Sequence, residues 1–356
     1  MTFSGFIEPD RTLEALDDPA AKLGIQIYSG YRAVGAAGFL GCQNRIFDRI
    51  VTKLQQLNLK YEDQCTGQYY FDLVRTLRDL NGGYDRVAEV GVFMGGSSTF
   101  LAGCMEPFEF DLDMIDIHAR FLQFAYERVR RLYPEQAARV RLFHGDLPSY
   151  VRHVMMKEEG HGYIVHHDGA HDFNQVVKDM ASLYYVRESL VAIIAQDTHL
   201  RGPIRHMNFV DLALYAVFGT DLKYAAIGAS FGANTALTEP NQYEGNYFMP
   251  DTPEGLVLPM SANEFRYPHP ALSIDDFLPP EASSNGLACT PFAQLERGEE
   301  IRRATKTTRS SVAVQTISLQ RRNRSLGQSA VSAAGRARSG AHRHVKAGLL
   351  SVRIWC

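Results

Sequence analysis

From residue 86 onward, short apolar runs alternate with longer stretches of helical period. The runs cover 86–90, 110–117, 140–144, 163–167, 190–195, 223–229 and 233–237. Between them, 97–105, 121–132, 174–185 and 206–218 repeat apolar residues at the spacing of one helix face. Strand alternating with helix predicts βαβ crossovers, hence a parallel sheet covered on both sides. The last two runs break the rhythm, because Ser230-Phe231-Gly232 is too short for a crossover and predicts an antiparallel pair. The expected fold class is therefore α/β: a doubly wound, mostly parallel sheet of seven strands with a terminal antiparallel strand pair.

Upstream, residues 1–25 are polar and irregular. Ile46, Ile50, Val51, Leu54 and Leu57 then mark one amphipathic helix, and 70–80 forms another that Asn81-Gly82-Gly83 stops. Residues 239–300 are rich in Pro, Asn, Tyr and Gly with little periodicity. After Glu300 there are twelve Lys plus Arg and no acidic residue, which leaves 1–300 at −15 against the whole chain's −3. A segment so basic and so poor in aromatics cannot offset its ordering entropy by burial, which predicts disorder. The expected organisation is 1–83 helical, 84–239 the sheet domain, 240–300 an irregular wrapping or lid segment, and 301–356 a basic tail.

With 45% apolar and 22% charged residues the composition is that of a soluble globular protein. Cys42, Cys65, Cys104, Cys289 and Cys356 show no paired spacing, which argues against a disulfide framework or structural zinc and for a cytoplasmic setting. No signal peptide or membrane span is expected.

The chemistry gathers at the predicted strand ends. The first strand runs into Glu89-Val90-Gly91-Val92-Phe93-Met94-Gly95-Gly96-Ser97-Ser98, an acid followed by a glycine loop opening a helix. Gly91 and Gly95 let backbone approach a ligand, and the helix start from Ser97 offers free N–H groups. The dinucleotide pattern G-x-G-x-x-G is absent. The charge expected on Glu89 favours a cationic or zwitterionic ligand over a phosphate. Asp116 closes the second strand, placed to accept from a ribose diol. Asp146, after His144-Gly145, can accept from an adenine amino group or cap a turn.

The fourth strand ends His166-His167-Asp168-Gly169-Ala170-His171, and the fifth ends Gln196-Asp197-Thr198-His199. Asp168 and Asp197 should enter one crevice from adjacent strands, a pair suited to Mg²⁺ with a nearby oxygen or imidazole. One of His166 and His167 should pack into the core. His171 and His199, in the loops, are the candidates for base, substrate contact or metal ligand.

With these residues in view, the stretch 84–239 resembles class I S-adenosylmethionine-dependent methyltransferases. The Asp168-Gly169-Ala170-His171 strand end looks most like macrocin-type and other sugar or antibiotic O-methyltransferases. It is similar, more distantly, to caffeoyl-CoA and catechol O-methyltransferases. The resemblance implies that Glu89, Gly91 and Gly95 meet the methionine part of S-adenosylmethionine, that Asp116 meets the ribose and that Asp146 lies near the adenine, with Ser97 at the helix start a further cofactor-binding candidate. In the metal-dependent relatives the positions of Asp168 and Asp197 supply metal ligands, but Thr198 stands where those relatives carry Asn or Asp, so either His199 or His171 substitutes or the enzyme works without metal.

The expected reaction is in-line methyl transfer to a hydroxyl of a small molecule, with Asp168 or His171 as base and Mg²⁺ as an assisting ion. Tyr243, Tyr247, Phe248 and Phe265 would wall the acceptor. No nucleic acid is expected as a specific partner, and a homo-oligomer is compatible with this reading. Two rivals stand beside it: a nicotinamide-dependent oxidoreductase on a similar sheet, and a non-catalytic S-adenosylmethionine-fold protein whose tail binds RNA or an acidic membrane. The acid-free tail also has the composition that a frameshift in a GC-rich gene produces.

Overall fold

Among the residues described by this computed structural model (4–28, 36–202, 208–233, 235–236 and 245–279), the strands follow in order. They are β1 (Gly5–Ile7), β2 (Arg86–Val90), β3 (Asp111–Asp116), β4 (Val140–His144), β5 (Tyr163–His167), β6 (Leu190–Gln196), β7 (Leu200–Arg201), β8 (Ala225–Ser230), β9 (Thr235–Ala236), β10 (Tyr247–Phe248) and β11 (Pro253–Pro259). The helices are α1 (Pro19–Lys22), α2 (Arg45–Gln55), α3 (Gly67–Asp79), α4 (Gly96–Phe108), α5 (Ala119–Leu132), α6 (Leu147–Tyr150), α7 (Phe173–Ser182) and α8 (Val210–Phe218).

The main sheet has the order β1-β4-β3-β2-β5-β6-β11-β8. Its five central strands are parallel, as the alternation of runs and helices predicts. Successive side chains leave opposite faces of each strand, so two cores form. Val87, Leu112, Met114 and Ile164 pack under α2 to α5, where Phe47, Tyr70, Leu73, Phe100 and Val129 are buried. Ala88, Ile115, Val165 and Ile193 pack under α6 to α8 with Leu147, Val176, Met180 and Leu214. The sheet is doubly wound.

Its edges differ from expectation. The sheet has eight strands rather than seven, because β1 adds an antiparallel strand beside β4. Its three residues are too short for a period to register, and Phe6 holds it edge-on against Phe143 at 5.5 Å. At the other edge the partner of β8 is β11, not the 233–237 run. β11 inserts antiparallel between β6 and β8, while β9 joins β10 and β7 in a separate three-stranded sheet. Prolines 253 and 259 bound the run Leu256-Val257-Leu258 and hide it inside a Pro-rich stretch. Proline is tolerated at strand ends, where a missing N–H costs little.

The segment before the sheet is pinned by polar bonds. Thr66 caps α3 by accepting from the Tyr69 N–H at 3.1 Å. Its own N–H donates to Glu254 of β11 at 2.7 Å, and its hydroxyl donates to the same carboxylate. Arg128 of α5 is fully buried and donates to both oxygens of Asp63, at 2.7 and 3.1 Å. Tyr243 and the basic tail lie outside the described residues. Among those described, no helix is long and apolar enough to cross a membrane.

Candidate active site

The chain crosses from β2 outward to β3 and β4, then returns past β2 to β5 and β6. The crevice of an open α/β sheet lies at such a reversal, outside the carboxyl ends of the strands. Here that places the ends of β2 and β5 side by side. Gly91, after β2, has φ +81°, and a Cβ on it would lie 2.3 Å from the Asp168 carbonyl oxygen. Gly95 has φ +75°, and a Cβ there would come within 3.0 Å of Ala125 on α5. Packing within the chain and the left-handed φ already require glycine at both positions.

A cavity of about 460 Å³ opens along these strand ends, within the range that holds small molecules. Gly91, Asp116, Asp146, Asp168 and His171 line it; Glu89, Gly95, Ser97, Asp197 and His199 do not. Asp116 accepts from the N–H of Val92 at 3.1 Å and of His118 at 2.8 Å, so it ties the glycine loop to the end of β3. Burial pushes its carboxyl up against those bonds. Asp146 caps α6 by accepting from the Ser149 N–H at 3.0 Å, the turn role open to it from sequence.

Glu89 departs from expectation. It is wholly buried, and its Oε1 accepts from the Ser97 hydroxyl at 2.5 Å. Burial pushes its carboxyl up to about 8, so at neutral pH it carries little charge. The acid facing the helix start is another residue: a Cβ on Gly96 would lie 3.0 Å from Asp63 Oδ1 and 2.3 Å from the Tyr70 hydroxyl. Asp63 and Tyr70 thus pack beside the first turn of α4.

At the β5 end, Asp168, His171 and Asp197 converge. His171 Nε2 lies 3.1 Å from Asp197 Oδ2 and 3.8 Å from Asp168 Oδ1. Burial raises Asp168 to about 7; the bond to His171 pulls it down and the charge of Asp197 pushes it further up. Burial would lower His171, but Asp197 and Asp168 outweigh it and hold the ring above its ordinary value. One ligand atom from each residue, all within 4.8 Å of one another, forms a set that can hold a cation.

His199 does not join this set. It is 1% exposed, and its ring stacks on Phe248 at 4.3 Å. Thr198 turns the same way: its hydroxyl donates to the Pro253 carbonyl at 2.6 Å and its N–H to the Glu254 carbonyl at 3.1 Å. β11 and the small sheet draw these two residues off, so of the two histidines expected as alternatives only His171 lies beside Asp168 and Asp197. Neither Tyr247, Phe248 nor Phe265 lines the cavity; Phe265 packs instead on Phe218 at 4.7 Å.

His166 and His167 are both buried. His166 Nε2 lies 2.8 Å from the Tyr69 hydroxyl, and burial lowers the ring to about 3, so it is neutral. His167 Nε2 lies 2.9 Å from Asp179, which also accepts from Gln175 at 2.8 Å. Asp179, Gln175 and Gln64 line the cavity without having been singled out in the sequence. Gln175 and Asp179 share a helix face at i, i+4, a signal available from spacing. Gln64 carries no such mark.

No protein-family model and no curated protein matches the chain. Among solved structures it is similar to the O-methyltransferase TomG from Streptomyces achromogenes, involved in tomaymycin synthesis and solved with S-adenosylmethionine. The identity is 16% over 61% of this chain and 90% of that one, with a TM-score of 0.37. An O-methyltransferase from Bacillus cereus, solved with S-adenosylhomocysteine, shares 12% identity over 63% and 93%, TM-score 0.38. A SAM-dependent O-methyltransferase from Thermotoga maritima shares 12% over 62% and 72%, TM-score 0.37. These likenesses are too distant to carry function, which has to come from the geometry of the site.

Proposed function

We propose that the chain is an S-adenosylmethionine-dependent methyltransferase acting on a hydroxyl of a small molecule. The observation that carries this is one continuous cavity at the strand-order reversal, with Asp116 at one strand end and Asp168 beside His171 at another. The first suits a ribose diol; the second suits a proton acceptor beside the reacting atoms. A nicotinamide dinucleotide is disfavoured, because the loop after β2 lacks the G-x-G-x-x-G pattern that brings backbone up to its pyrophosphate.

A hydroxyl placed at Asp168 gives up its proton to that carboxylate. The oxygen's electron pair forms a bond to the methyl carbon while the carbon–sulfur bond breaks, leaving a neutral thioether. A base with a pKa near the working pH suits that transfer, and holding oxygen, carbon and sulfur in line supplies much of the acceleration. Asp168, His171 and Asp197 would hold a divalent cation such as Mg²⁺, two carboxylates and one imidazole being a donor set such an ion accepts. When bound it would lower the pKa of the acceptor hydroxyl.

Calorimetric titration of the full chain with S-adenosylhomocysteine and with NADH tests the cofactor class. Transfer of label from methyl-labelled S-adenosylmethionine to phenols, catechols and sugars tests the reaction. Binding of NADH without S-adenosylhomocysteine would overturn the reading.

A further inference from the structure

The cavity is rich in carboxylates and poor in donors. Asp116, Asp146, Asp168 and Asp179 line it. Of the donors, the Gln175 amide is engaged with Asp179 and the His171 ring lies between Asp168 and Asp197. The start of α4 does not line the cavity. Two lining side chains with a donor remain, His118 and Gln64, and of these Gln64 carries the buried one. The Gln64 side-chain nitrogen is buried and has no hydrogen-bond partner. A buried donor left unpaired is unfavourable, and such groups in folded proteins call for a partner.

Gln64 is also held from both sides. Before it, Asp63 is fixed by Arg128. After it, Cys65 is buried and its sulfur accepts from Gln196 of β6 at 3.3 Å, while the Thr66 N–H donates to Glu254 of β11. The backbone at Gln64 is therefore anchored to α5 on one side and to β6 and β11 on the other. An amide donor so anchored loses little further freedom when a ligand arrives.

We infer that Gln64 donates its side-chain amide to the carboxylate at the amino-acid end of the S-adenosyl ligand. This rests on the proposed cofactor. That ligand brings an ammonium, which the aspartates attract, and a carboxylate, which they repel. Gln64 supplies the carboxylate with a neutral donor in a wall where four aspartates repel it. It is a positioning residue: by holding the amino-acid end it sets where the sulfonium methyl lies relative to Asp168.

Affinities of the full chain and of Gln64→Leu and Gln64→Glu for two ligands test this by calorimetry. S-adenosylhomocysteine carries the amino-acid end; 5′-methylthioadenosine lacks it. Gln64→Leu should weaken S-adenosylhomocysteine by about 10- to 100-fold, the range for a hydrogen bond to a charged group. It should leave 5′-methylthioadenosine unchanged, which also reports that the pocket is intact. Gln64→Glu should weaken S-adenosylhomocysteine at least as much, by setting carboxylate against carboxylate. In turnover, KM for S-adenosylmethionine should rise more than kcat falls. Equal affinity of Gln64→Leu and the unchanged protein for S-adenosylhomocysteine would overturn the inference, as would equal losses for both ligands. If the unchanged protein binds neither ligand, the cofactor reading falls with it.

Discussion

His171 Nε2 lies 3.1 Å from Asp197 Oδ2, which ties the loop after β5 to the turn after β6. Asp197 takes a left-handed φ of +57°, and its carbonyl accepts from the Leu200 N–H at 3.0 Å. Arg201 braces that turn by donating to the Thr198 and Leu200 carbonyls at 3.1 and 2.9 Å. The ligand set is thus held by backbone as well as by side chains. Treatment with EDTA should suppress methyl transfer, and Mg²⁺ or Mn²⁺ should restore it. Asp197→Asn should weaken Mn²⁺ binding read by electron paramagnetic resonance. Full activity under EDTA would sink the metal.

Asp168 is the group placed to take a proton. Asp168→Asn keeps the shape and removes the base, so kcat should fall by about 10²- to 10⁴-fold. Affinity for S-adenosylhomocysteine should change little, because Asp116 and the glycine loop are untouched. Single-turnover rates beside calorimetry separate the two effects. A variant that turns over normally would move the base to another group.

The central strands were legible because each is a buried apolar run between helices of clear period. Asp116, Asp168 and His171 were legible for the same reason, since a residue at a strand end in such a sheet faces the crevice. The outer strands were not. β11 is masked by Pro253 and Pro259, and β1 has three residues. Once β11 enters the sheet it draws Thr198 and His199 away from Asp197, a consequence no local pattern carries. Gln64 owes its place to Asp63, Cys65 and Thr66, whose partners lie 65, 131 and 188 residues away. Contacts at that separation leave no period to read.

The buried Asp63–Arg128 pair should dominate the attachment of residues 57–66. Asp63→Ala leaves a guanidinium with 0% exposure held by the Met94 carbonyl at 3.0 Å and the Tyr61 ring at 3.7 Å. Breaking one side of a buried pair costs about 3–5 kcal/mol. Urea unfolding should show that loss, with a smaller one for the Asp63→Leu, Arg128→Met double variant. A change below about 1 kcal/mol, the range of an exposed pair, would mean that water reaches the pair.

Glu89 makes stability depend on pH in the sense opposite to most carboxylates. Its folded pKa is raised, to about 8, from an ordinary value of 4.5, chiefly by burial. Between those values the folded state holds a proton that the unfolded state has released. The stabilisation is complete below the unfolded pKa and is lost as pH rises through the folded one. Glu89→Gln keeps a neutral group that can still accept from Ser97 and removes the titration. Melting compared at pH 6 and pH 9 should show the unchanged protein losing on the order of a few kcal/mol more than Glu89→Gln. Parallel losses in the two proteins would place the Glu89 carboxylate in contact with water or with a cation, and its charge would then return to the glycine loop as a feature the ligand must meet.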